Sequence, residues 1–140
     1  MVCFRYYVLY TIGGKGHRTS TNAYYENEPV MKLDREMMRG AGPTALLQLL
    51  SDGEMYGYQI VEALPIRSDG VFKLSQSTIY PMLYNLEAKG LVTSKEKVAP
   101  NGRTRRYYRL TAKGNKQLVK DSEQWAAMVR GMGALGLEGT

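Results

Sequence analysis

Residues 91–110 constrain the fold of this chain more than any other stretch. Leu91–Lys97 and Thr104–Leu110 read as two strands, and Ala99-Pro100-Asn101-Gly102 between them reads as a turn with Asn-Gly at its tip. The spacing predicts an antiparallel hairpin. On the returning strand, alternation puts Tyr108 and Leu110 on one face and Arg105, Tyr107 and Arg109 on the other.

The charge of the chain is concentrated at this hairpin. From Lys95 to Lys120 there are nine basic residues (Lys95, Lys97, Arg103, Arg105, Arg106, Arg109, Lys113, Lys116, Lys120) against one acid, Glu96. That window carries +8, whereas the whole chain carries +6, so the remainder sums to −2. Basicity confined to one place suits a polyanionic partner, either nucleic acid or an acidic membrane surface, and it also suits a well-solvated surface. Charge alone leaves these open.

Helical signals precede the hairpin. Thr44, after Pro43, reads as the cap of a helix carrying Ala45, Leu46, Leu47, Leu49 and Leu50, stopped by Ser51-Asp52-Gly53. A second helix is expected from about Tyr56 to Leu64, with Tyr56, Ile60, Val61 and Leu64 at helical spacing and Pro65 ending it. Ser68-Asp69-Gly70 is a turn, and Val71-Phe72-Lys73-Leu74 reads as short and extended. Ser75 or Ser77 then caps a third helix running to about Ala88, with Ile79, Leu83 and Leu86 as its buried stripe and Gly90 as its C-cap signal. Pro81 inside that helix is a conflict, because it removes a backbone hydrogen bond. After the hairpin, Thr111 caps a last helix expected to reach about Met132, where three glycines between 131 and 136 dissolve it.

Helix, helix, helix, hairpin, long helix is the order of a winged helix-turn-helix domain followed by a dimerisation helix: mainly α with a β-hairpin wing, an α+β chain. The third helix is then the element for the major groove, which admits one helix. Its outward residues are Ser75, Gln76, Ser77, Thr78, Tyr80, Tyr84 and Asn85. Gln and Asn can pair bidentately with adenine, while the hydroxyls suit phosphates or base edges. The plainer reading is a solvated face with two half-buried tyrosines. In the hairpin, Arg103, Arg105, Arg106 and Arg109 alternate with Tyr107 and Tyr108. On a projecting wing their guanidinium groups reach the phosphate backbone or an adjacent minor groove; the plainer reading is a charged edge that resists strand pairing.

Along the last helix Leu118, Ser122, Trp125, Val129 and Met132 recur at intervals of four, three, four and three. This spacing makes a seam for a partner helix and predicts a homodimer, with packing on the chain's own first helix as the alternative. Trp125, the single tryptophan, is either an anchor in the dimer core or the wall of a slot for a small aromatic effector.

Several classes are disfavoured. The single cysteine, Cys3, and single histidine, His17, give no Cys/His zinc site, and no metal or other cofactor is expected. Gly13-Gly14-Lys15-Gly16 lacks the spacing and Ser/Thr of a phosphate loop, and no nucleophile, base and orienting group converge, so no catalytic residue is assigned and an enzyme is not expected. No apolar stretch approaches the roughly 18 residues that span a bilayer, and Arg5 interrupts Val2–Ile12, which makes a poor signal peptide. No membrane partner is expected, and cytoplasmic residence follows. Residues 1–30 carry five tyrosines and no sustained period; they read either as an irregular, poorly ordered extension that is not native if the biological start is Met31, or as an accessory arm. Residues 31–114 are read as the winged-helix domain and 115–140 as the dimerisation helix with a short tail.

The motifs Tyr56-Gly57-Tyr58-Gln59-Ile60, Leu74-Ser75-Gln76-Ser77-Thr78-Ile79-Tyr80-Pro81-Met82-Leu83 and Leu86-Glu87-Ala88-Lys89-Gly90-Leu91-Val92, with the Arg-rich run from Asn101 to Gly114, resemble the PadR-like transcriptional regulators over about Met31 to Met132. The resemblance implies a homodimeric repressor of a double-stranded DNA operator, in the short subgroup with one C-terminal helix. It makes Pro81 an ordinary feature of the recognition helix. It also places Trp125 where some members bind aromatic or cationic compounds, although only Asp121 and Glu123 supply nearby acids. The alternative function is a winged-helix module that binds protein or RNA without reading duplex DNA.

Overall fold

A computed structural model describes residues 33–137; the reading of residues 1–30 lies outside them. The first helix, α1, spans Arg35–Leu50. It begins well before the expected Thr44 because Asp34 caps it, its carboxylate accepting the Met37 N–H at 2.9 Å, with Glu36 in the first turn favouring the helix dipole. Pro43 lies inside the helix and does not precede it. The helix survives that lost donor because packing holds it beyond the proline. Gly42 lies so close to Met82 that an added Cβ would meet its Cε at 2.9 Å, and Leu46, Leu47, Leu49 and Leu50 are all buried.

Helix α2 spans Gly57–Arg67, so Pro65 does not end it. A proline late in a helix still offers its carbonyl. Leu64 O accepts the Ser68 N–H at 3.1 Å, and Pro65 O accepts the Gly70 N–H at 2.7 Å. Of Val71–Leu74, expected as extended, Val71 and Phe72 continue the turn while Lys73 and Leu74 lie outside it; the stretch pairs in no strand, and Phe72 and Leu74 pack on the core edge. Helix α3, Gln76–Ala88, buries Ile79, Leu83 and Leu86 as the periodicity predicts, with Ser75 at its N-cap. It ends where Gly90, at φ 73°, lets its own N–H reach Glu87 O at 2.9 Å and the Leu91 N–H reach Leu86 O at 3.0 Å.

The sheet has three strands, one more than the hairpin predicts. β1 (Met55–Tyr56) pairs antiparallel with β3 (Thr104–Leu110), which pairs in turn with β2 (Val92–Val98), one residue later than expected. Met55 stands opposite Tyr108, and the hairpin register runs from Val92 opposite Leu110 to Val98 opposite Thr104. Two residues are too short for a sequence signal, and the pairing arises only because α1 and α2 carry the segment to the free edge of β3. At the hairpin tip Gly102, φ 81°, donates to Ala99 O at 2.9 Å, and the Asn101 side chain accepts the Arg103 N–H at 3.1 Å. Gly102 takes the left-handed conformation and Asn101 does not, which matches a three-residue loop with a bulge and not a two-residue Asn-Gly turn.

Helix α4 spans Ala112–Ala134, and Thr111 caps it by accepting the Gly114 N–H at 3.0 Å. Its base docks on α1: Thr44 donates to Asp121 at 3.0 Å, and Leu118 packs against the core. From Ser122 onward every residue of α4 is exposed. Ser122–Ala134 therefore projects by about 20 Å at 1.5 Å per residue. Among the described residues no helix is long and apolar enough to cross a membrane.

Candidate nucleic-acid interface

The inward stripe of α3 dictates what it shows outward. Ser75, Gln76, Ser77, Tyr80, Tyr84 and Asn85 are exposed, Tyr84 by 74 %, and Thr78 is half-buried. The Ser75 hydroxyl is spent on the Ser77 hydroxyl at 2.8 Å and the Thr78 hydroxyl at 3.2 Å, and no side chain caps the first amides of the helix. Tyr80 lies across Gly57 of α2, where an added Cβ would stand 2.5 Å from its hydroxyl oxygen. That contact gives the tyrosine a rigid backbone platform, and glycine is the residue that permits it.

On the wing the basic residues divide into two sets. Arg105 is half-buried, its guanidinium 4.4 Å from the centre of the Tyr56 ring and its Nε buried without a hydrogen bond. Lys97 pairs with Glu54 and stands 5.4 Å from the Tyr107 ring centre, which meets Tyr56 edge-on at 5.5 Å. These two cations hold the sheet together. Arg103, Arg106 and Arg109 are exposed, so the arginines grouped together by sequence spacing are separated by the fold.

The wing is tied to α3 at its root. Ser94 of β2 donates to the Glu87 carboxylate of α3 at 2.7 Å. Tyr108 is buried beside this link. Its phenol is pushed above the usual tyrosine range chiefly by burial, with the adjacent Arg106 guanidinium opposing and Glu87 and Tyr80 adding to the rise. The Ser94–Glu87 bond is thus the polar link where hairpin and helix join. Gly57 and Glu87 stand in the sequence only as members of family motifs; their contacts with Tyr80 and Ser94 are not legible there, since a glycine beside a distant aromatic leaves no periodic signal.

Along α4 the expected seam splits. Leu118 belongs to the chain's own core, while Ser122 is exposed and Trp125, Val129 and Met132 are exposed by 52 %, 58 % and 45 %. Val119 and Met128, not singled out by the spacing, are also exposed apolar residues of this helix. Among the described residues no group of three or more His, Cys, Asp or Glu side chains is placed to hold a metal ion.

Three helices closed by a β-hairpin, with a polar strip on the third helix and exposed arginines on the hairpin, define a winged helix-turn-helix protein of the transcription-regulator class. Residues 46–120 match the transcriptional regulator PadR-like family, and the chain belongs to that family. It is 34% identical over 96 residues to a transcriptional regulator of Mycobacterium tuberculosis, covering 69% of this chain and 86% of that protein. Its fold is similar to that of a PadR-like transcriptional regulator from Bacillus cereus (TM-score 0.66, 28% identity, 75% of this chain and 99% of that one). It is also similar to a PadR family transcriptional regulator from Eggerthella lenta (TM-score 0.62, 31% identity, 71% of this chain and 85% of that one).

Proposed function

We propose that this protein is a cytoplasmic, homodimeric repressor that recognises a specific duplex operator. α3 enters the major groove, and the wing holds the flanking backbone. The observation that carries this reading is the pairing of two exposed surfaces through one rigid joint. The polar strip of Gln76, Ser77, Tyr84 and Asn85 is linked, through the Ser94–Glu87 bond at the wing root, to the hairpin that carries the exposed Arg103, Arg106 and Arg109. Base choice falls to the α3 strip, because phosphate contacts anchor without reading sequence. Residues 31–114 form the DNA-binding unit in this reading.

The exposed apolar distal half of α4 supports the dimer, since a two-fold pair of recognition helices suits symmetric half-sites. Trp125, half-exposed on that face, is the residue on which a small aromatic effector would stack to release the operator.

Fluorescence anisotropy with the promoter of the protein's own operon tests this. The expected result is preference for that promoter over random duplex at physiological salt, with a log–log salt slope of several units. Arg103→Ala with Arg106→Ala is expected to weaken all duplexes alike, and Gln76→Ala with Tyr84→Ala to erode the preference. Equal affinity for promoter and random duplex overturns the specific-regulator reading.

A further inference from the structure

Helix α3 has two flanks, and the wing accounts for one of them. On that side Tyr80 rests on Gly57, and Glu87 accepts from Ser94 of the wing root. On the other side Thr78 and Met82 face α1: Met82 packs on Gly42, and both residues line a groove of about 420 Å³ with Arg35 and Arg39 of α1 and Lys73 from the loop before α3. We propose that Arg35, Arg39 and Lys73 form a second anchor for the nucleic-acid phosphate backbone, across α3 from the wing. The inference rests on the duplex-binding reading above and adds the strand that the wing does not reach.

The geometry of the partner offers a place for such a contact. A helix seated in a major groove about 12 Å wide is bordered on both sides by phosphates. The wing arginines serve one border. The three cations of the α1 groove are all exposed, and neither of the two ion pairs among the described residues uses any of them. Arg35 is the first residue of α1, where a cation opposes the positive end of the helix dipole, so local helix stability does not explain its charge there. Asp34 beside it is occupied by the Met37 amide. The apolar lining of the groove, including Met38, Leu74 and Met82, gives the long basic side chains a surface to lie along while their heads reach outward.

The test is the salt dependence of duplex affinity for the full-length protein and its Arg35→Ala/Arg39→Ala/Lys73→Ala variant. Loss of three phosphate contacts is expected to lower the log–log slope by about 2.7 per protomer, equally for promoter and random duplex. The charge-preserving Arg35→Lys/Arg39→Lys/Lys73→Arg variant is expected to keep the wild-type slope, with the melting temperature of both variants at or above wild type. An unchanged slope in the alanine variant, beside a wild type that retains salt-sensitive promoter preference, overturns the anchor and leaves the duplex-binding reading intact. Lost affinity at an unchanged slope overturns it equally, because the loss is then not electrostatic. A wild type without salt-sensitive duplex binding overturns the reading and the anchor together.

Discussion

Gly114→Ala reports on the joint from which α4 projects. Gly114 is buried in the first turn of α4, and an added Cβ would lie 1.9 Å from Leu91 O and 2.9 Å from Leu91 C. Ordinary contact begins near 3.4 Å, so the two backbones must part by 3.4 − 1.9, or 1.5 Å. Neither is free to move. Leu91 O accepts the Thr111 N–H at 3.1 Å, Thr111 Oγ1 donates to Gly90 O at 2.6 Å, and Lys113 donates to Lys89 O at 2.8 Å. Overpacking of this kind costs about 1–3 kcal/mol. A broken joint hydrogen bond costs about 1 kcal/mol more, and the helix preference of alanine over glycine returns about 1 kcal/mol. The net loss is about 1–3 kcal/mol, a fall in Tm of at least about 4 °C for a domain of this size. Gly40→Ala provides the control: nothing lies within 4 Å of its Cβ, so only the propensity acts and the variant gains about 1 kcal/mol. Thermal and urea unfolding at one protein concentration compare the two, since any self-association couples to stability. Gly114→Ala melting at or above wild type, in the same direction as Gly40→Ala, refutes the packing argument.

Gly57→Ala meets only the far end of the Tyr80 side chain, so it is expected to shift the ring with a small change in Tm and to reduce promoter affinity about as much as Tyr80→Ala; wild-type affinity in anisotropy would remove Tyr80 from the interface. Trp125→Asp puts a charge on the exposed apolar face of α4 and is expected to convert the proposed dimer to monomers in sedimentation equilibrium; equal masses for wild type and variant would refute this face as a dimer surface. Tyr108 is neutral more persistently when folded than when unfolded, so below pH 10.0 it confers no pH dependence, and stability declines as pH rises from there through the raised folded value. Phenolate absorbance of wild type and Tyr108→Phe checks this, because one late-titrating tyrosine should vanish with the substitution.

The elements that repeated at a fixed period were legible in the chain itself. Ile79, Leu83 and Leu86 marked the buried face of α3, and Thr104–Leu110 has the predicted bounds. Thr111 as the cap of α4 was equally plain, because capping chemistry is local. The prolines misled for the opposite reason. A proline weakens a helix by one bond, and packing on either side of Pro43 and the intact carbonyls around Pro65 outweighed that loss.

The sequence alone therefore determined the winged-helix order, the polar face of α3 and the concentration of positive charge in the hairpin, since each is written in neighbouring or periodically spaced residues. Only the tertiary structure decided which charges are exposed. It set Arg105 over Tyr56 and Lys97 against Glu54, left Arg103, Arg106 and Arg109 in solvent, and brought Arg35 and Arg39 beside Lys73 on the far flank of α3. It also added β1 to the edge of β3 and divided the α4 seam between the core and the solvent. The physical reason is the same in each case: a side chain's partners are chosen by contacts between distant segments, and those distances exist only once the helices have packed.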